Sequence, residues 1–331
     1  MNKDWCKISL FFLFCIAGIG TFLRALPFLD LPINYSNLVH AHSHVAFQGW
    51  VYTALLLLVP HLFLNQHQIK KGRYELQFKI TIPLIIAILI AFLIEGYGLY
   101  SIVLSTLFQG MNYWFIFRFF KDTKSSDKND VPVKFVKIGF WFGILSSLAP
   151  YFVGYLSAKD LSHTESYESA IYFFLHFQYN GWFLFTIIGI IFKIFERYNI
   201  SFNKSRLRLF LILLTISSVL TYLHSLLGMS FRSLIVVPAA VGAVLQLIGV
   251  VVLLGLLKEL HAKSFFQDSN WTGIFMLTAL VSFALKSLLQ LITVFPAMQY
   301  YAFGNRSFIM AYRRIMTRLA FYPGNAFNNY I

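Results

Sequence analysis

Three of the chain's nine histidines fall within five positions, His40, His42 and His44. They stand at the mouth of an apolar stretch, "VHAHSHVAFQGWVYTALLLLVP" (residues 39–60). A neutral imidazole carries a lone pair that suits iron, copper and zinc, and it titrates near neutral pH. Inside an apolar run a polar group is costly, so it is normally paired or functional. The stretch contains "HVAFQGW" (44–50), and 132 residues on, from position 44 to 176, the chain reads "HFQYNGW" (176–182). Both are H-x-x-x-[Q/N]-G-W, and a repeat is the first thing to seek in a long chain.

The spacing has a geometric meaning on a helix. The histidine and the amide are four residues apart and share a face, as do His40 and His44, while His42 points roughly the opposite way. The glycine of each motif, Gly49 and Gly181, lets a neighbouring helix or a flat ligand come close. His224, in "TYLHSLLGMS", lies at the end of a later apolar run. His44, His176 and His224 are therefore the candidates for a metal or haem site. The plainer reading is that such side chains tie helices together by hydrogen bonds, with each Trp at an interface. His61, His67, His163 and His261 lie at or beyond span ends, where water satisfies them.

The elements that must position these groups are membrane spans. The 331 residues are 58% hydrophobic and only 12% charged, far from the roughly 25% charged composition of soluble domains. Nine apolar runs can be drawn at 6–27, 38–64, 77–95, 99–120, 135–157, 169–194, 207–228, 234–257 and 271–296, with a tenth beginning near 300. The fold class is thus an all-α, polytopic transmembrane bundle of nine to ten spans. The basic residues lie in short connectors, so the net charge of +14 reports orientation and not nucleic acid. The N-terminus and alternate connectors carry nineteen Lys and Arg. The opposite face carries four, Arg24, Lys159, Arg232 and Arg306. That asymmetry predicts a cytoplasmic N-terminus in a cytoplasmic (inner) membrane, with lipid as the principal partner. Cys6 and Cys15, nine residues apart on one helix, are separated by about 13 Å and cannot form a disulfide.

"HAHSHVAFQGW" on the second span resembles the haem-ligating second helix of the haem–copper oxidase subunit I superfamily, and especially its NnrS-like haem- and copper-containing members. The resemblance implies arcs of four helices: a first over 6–120, a second over 135–257 and an incomplete third over 271–331. It implies haem b held by His44, with His42 or His40 as rivals and Gly49 beside it, and copper held by His176 and His224. It further implies a redox, oxygen- or nitric-oxide-related role with membrane redox partners. The chain departs from that pattern. The family's tenth helix supplies haem histidines, yet another 132 residues past His176 lands on Phe308, and no histidine follows His261. Full terminal-oxidase or nitric-oxide reductase activity is therefore not expected.

A second expectation comes from the residues alone. Lys286 stands in the middle of the ninth span with Gln290 four residues on, and Gln246 is mid-span in the eighth. A lysine at that depth must face the bundle interior or water. Such a midplane site fits a multi-pass transporter without haem. Glu95, in "EGYGLY", reads as a loop acid near the outer end of the third span.

Overall fold

The computed structural model describes residues 3–29, 31–124, 130–261, 270–295 and 297–298, with side chains left aside from 259 to 272. Among the described residues every regular element is helical. Eight helices are long and apolar enough to cross a membrane. The expected fourth span is a 24-residue helix, α6 (Leu99–Asp122), but Gln109, Asn112, Arg118 and Lys121 lower its apolarity and it falls outside those eight. The expected tenth span, Arg306, Phe308, Lys263 and the His261 side chain lie outside the described residues.

The chain divides into two compact units, Met1–Ser126 and Asp127–Ile331, with the boundary inside the charged connector 121–134. The first unit holds α1 (Lys3–Ala25), then a single long helix made of three parts. These are α2 (Tyr35–His44), a π-helical stretch (Val45–Tyr52) and α3 (Thr53–Phe63). A short α4 (Gln66–Lys71), α5 (Tyr74–Glu95) and α6 complete it. Polar side chains set the ends. Asn34 accepts from the Asn37 amide at the start of α2, and Asn65 and Gln68 form a reciprocal capping box on α4. Glu95 accepts from the Ser101 amide at 2.6 Å, so it caps α6 rather than meeting a histidine. Gly96, with φ of 63°, makes the left-handed turn between α5 and α6, where a side chain would strain the backbone and strike Asn37.

The second unit repeats the plan. It begins with α7 (Val131–Ser146) and α8 (Ala149–Ala158). A three-part helix follows: α9 (Glu165–His176), a π-helical stretch (Phe177–Phe183) and α10 (Leu184–Arg197). Then come α11 (Lys204–Thr221), extended by a 3-10 turn (Tyr222–Leu226), α12 (Arg232–His261) and α13 (Asn270–Ile292). Its core is aromatic: Phe135, Phe142, Phe177, Phe185, Phe192 and Phe210 are buried together, with Phe142 and Phe177 stacked at 5.4 Å. Cys6 and Cys15 are free thiols, as their spacing requires.

Candidate functional site

Both copies of H-x-x-x-[Q/N]-G-W occupy the π-helical stretches, and each stretch begins directly after the motif histidine. A π turn spends one more residue per hydrogen-bonded ring than an α turn, so it displaces side chains from the regular face and is frequent at functional sites. In each copy a threonine takes up a main-chain carbonyl at the end of the widened segment. Thr53 donates to the Gly49 carbonyl, and Thr186 donates to the Trp182 carbonyl at 2.7 Å. The motif glycines do what close packing asks. A Cβ on Gly49 would lie 3.1 Å from the Phe12 ring of α1, and one on Gly181 would lie 2.5 Å from Cβ of Phe142 on α7. In both units the space before the glycine is thus filled by a phenylalanine from a preceding long helix.

In the first unit the three histidines part company. His40 and His44 face the end of α5: the His44 ring stacks on Phe92 at 3.9 Å and its Nε2 lies 3.3 Å from the Tyr97 hydroxyl. His40 meets the edge of Tyr97 and pairs with Ser36 at 3.2 Å. His42 turns the other way, as its position demands, and its ring packs against Gly20 of α1, 3.0 Å from where a Cβ would stand. Its Nδ1 is buried without a hydrogen bond among the described residues. The expected pairing between histidine and amide is not made through Gln48, whose Oε1 is also unpaired there.

In the second unit the pairing is made, and it extends into a relay. His176 Nε2 lies 2.8 Å from the Ser218 carbonyl of α11, and a carbonyl only accepts, so the proton is on Nε2. Nδ1 is then the acceptor, and Asn180 Nδ2 donates to it at 3.2 Å. That orientation turns Asn180 Oδ1 toward Lys286, whose ammonium donates at 2.6 Å. One ammonium N–H of Lys286 thus meets Asn180 Oδ1, one amide N–H of Asn180 meets His176 Nδ1, and the His176 N–H meets the Ser218 carbonyl. Lys286 is 1% exposed, and none of the ion pairs among the described residues includes it.

His224 stands in the 3-10 turn after α11, within electrostatic reach of Lys286 and of His176. It is buried, and neither ring nitrogen closes a hydrogen bond among the described residues. One side of the ring faces the Gln290 carbonyl, which already accepts from Thr293 at 2.8 Å. Thr221 Oγ1 and Gln290 Oε1 are also buried without a hydrogen bond among the described residues. Gln246 donates to Ser287 at 3.0 Å, next to Lys286. His67 and His163 are not buried, as expected, although His67 sits on the short helix α4 and only His163 in a loop.

These facts bear on the expected cofactors. His176 has no lone pair free for copper while Asn180 donates to Nδ1, and a buried lysine nearby opposes a second cation. Among the described residues no three of His, Cys, Asp or Glu converge as a metal-binding group. The copper pair His176 and His224 therefore does not fit the second unit as folded. The first unit fits haem better in its donor set, because His42 presents an orphaned buried nitrogen and the His44 contact to Tyr97 is long. His44 belongs to the first unit, and His176 and His224 to the second.

Sequence reasoning singled out Lys286, Gln290 and Gln246 and both motifs. It missed that Asn180 is the link between lysine and histidine, and that Ser218 belongs to the same cluster. The one signal available was the exchange of Gln48 for the shorter Asn180 at the motif's amide position. No family model matches the chain, and no curated protein or solved structure shows significant similarity to it.

Proposed function

We propose that the chain is a multi-pass membrane protein of transporter type, with an intramembrane site for a small polar solute in its second unit. The observation that carries this reading is Lys286, fully buried, bonded to a neutral amide and without a carboxylate among the described residues. A cation at the centre of a span costs about 2.5–3.5 kcal/mol on insertion scales, and helix bundles tolerate it where it faces a solute or ion path. A site of this kind must meet water at some stage. The test introduces a thiol by Lys286→Cys in a chain whose native thiols are removed (Cys6→Ser, Cys15→Ser). The folded variant in membranes should react with a small, water-soluble thiosulfonate. A thiol at position 286 that reacts only after denaturation would make Lys286 a sealed structural residue and end the reading.

A second reading keeps haem in the first unit, where His42 and its orphaned Nδ1 favour it. There His44, His42 or His40 would hold the iron of haem b, which would supply one-electron chemistry for a redox, oxygen- or nitric-oxide-related role. Tyr97 would orient His44, and Ser36 would orient His40, by the hydroxyl contacts described. A reduced-minus-oxidised absorption spectrum of the purified chain decides it. A haem spectrum lost in His44→Ala or His42→Ala supports the reading, and a colourless protein from iron-replete cells refutes it.

A further inference from the structure

We infer that the basic end of the first unit is a binding surface for an anionic phospholipid headgroup, formed by Lys70, Lys71, Arg73, Lys79, Lys121 and Lys124. It belongs to the first unit alone, and the inference does not rest on the solute reading. Hydrogen bonds tie three elements together there. Gln68 of α4 donates to the Asp122 main-chain carbonyl at the end of α6 at 2.7 Å. The Tyr74 hydroxyl, at the start of α5, donates to the Asp122 carboxylate at 2.9 Å. Arg118, one turn before Asp122, donates to the Gly72 carbonyl and to the Gln77 side-chain oxygen. Its guanidinium also contacts the Tyr74 and Trp114 rings, 4.1 and 4.3 Å from their centroids. Segments 68–74 and 118–124 are therefore held against each other. Five of the six cations stand on them, and Lys79 follows on α5.

All six are exposed, and none of the ion pairs among the described residues includes them, whereas Lys7 meets Asp4 and Lys193 meets Asp130 and Glu196. The acids of these segments are Asp122 and Glu75. The Asp122 carboxylate is taken by Tyr74, and Glu75 sits in the first turn of α5, where the helix N-terminus favours it. Arg73 adds a second sign. Its φ is 52°, in the left-handed region that glycine or asparagine normally fills, and residues held there gather at ligand sites. The surroundings point to a lipid as the source of the anion. α5 is long and apolar enough to cross a membrane, so its first turns lie at a membrane surface. Leu76 and Ile80 are exposed on the face of α5 that carries Lys79. The Lys79 ammonium is 6.0 Å from the Trp5 ring, which stacks on Phe78 at 4.8 Å. Lysine and tryptophan beside exposed aliphatic groups mark the headgroup level, where a lysine stem lies along apolar surface and its charge reaches the interface. A phosphate held by these cations would set its acyl chains beside Leu76 and Ile80. A zwitterionic headgroup brings its own cation and gains little.

The experiment measures the melting temperature of the full chain in a neutral detergent during titration with a short-chain phosphatidylglycerol. Parallel titrations use the phosphatidylcholine of the same chains and sodium phosphate. Phosphatidylglycerol should give a saturable rise, because a ligand bound only by the folded state stabilises it, and the other two should not. Each basic residue at an anionic lipid surface strengthens binding about fivefold. Lys79→Gln should therefore move the midpoint about fivefold to higher concentration, and the triple variant Lys70→Gln, Lys71→Gln, Arg73→Asn about a hundredfold. Asparagine is chosen at position 73 because it accepts the left-handed backbone. The control removes equal charge from the second unit, by Lys204→Gln, Arg206→Gln and Arg208→Gln, and should leave the midpoint unchanged. A wild type indifferent to phosphatidylglycerol overturns the inference, and so does an equal rise with phosphatidylcholine or with phosphate alone. A control that loses as much as the triple variant overturns it too, since net charge would then suffice. Should the triple variant not fold, an unchanged midpoint in Lys79→Gln overturns it alone.

Discussion

Replacing Gly181 by Ala adds one methyl group where the second motif meets α7. The new Cβ would stand 2.5 Å from Cβ of Phe142 and 2.7 Å from its Cγ. Carbon atoms are at ease at about 3.5–4.0 Å, so the helices must part by roughly 1 Å. Phe142 cannot turn out of the way, because the nearest atom is its own Cβ, fixed to the α7 backbone. Overfilling of this kind costs about 1–3 kcal/mol. Alanine regains about 0.5–1 kcal/mol over glycine inside a helix, so the net loss is about 1–2 kcal/mol. Gly49→Ala supplies the control. Its nearest neighbours are Cγ1 of Val45 at 2.9 Å and Cδ1 of Phe12 at 3.1 Å, both at the ends of side chains that can rotate. That change should fall within about 1 kcal/mol of the wild type, since the helix preference offsets much of the crowding. Melting temperatures of the two variants in the same detergent provide the comparison. A Gly181→Ala chain as stable as Gly49→Ala would refute the close approach of α7 to the motif.

Three further outcomes are expected. His176→Ala should lower stability by about 2–4 kcal/mol, since it strands the Ser218 carbonyl and the Asn180 amide, whereas His67→Ala at an exposed position of α4 should leave the melting temperature unchanged. Asp130 caps α7 through the Val133 amide and also receives Lys193 at 2.9 Å in a partly buried pair. Asp130→Ala should therefore cost about 1–2 kcal/mol, and a double-mutant cycle with Lys193→Met should separate the pair from the cap. Finally, the distribution of Lys and Arg predicts that the 121–134 connector lies inside the cell and the 158–168 connector outside. A membrane-impermeant thiol reagent should label His163→Cys and spare Lys124→Cys in intact cells, and the reverse pattern would invert the orientation.

The sequence alone determined the helices, because a bilayer accepts few other backbones and apolar runs of span length declare themselves by composition. It also determined the relations along one helix: His42 opposed to His40 and His44, Gln290 one turn from Lys286, and each motif glycine as a point of close approach. What lies between helices was decided only by the tertiary structure. Lys286 and Asn180 are 106 residues apart, and no periodicity in either segment names the other as its partner. In a soluble helix the apolar stripe marks the buried face, but a span is apolar all round, so the pattern does not say which face meets which neighbour. The π-helical widening was equally hidden, since a motif read at regular α spacing gives no sign of one extra residue in a turn. Both copies share that widening, and with the step from Gln48 to the shorter Asn180 the first keeps an unpaired amide oxygen while the second closes a relay to lysine. Two seven-residue strings that share the pattern H-x-x-x-[Q/N]-G-W thus make different sites, because the groups that complete each one come from other helices.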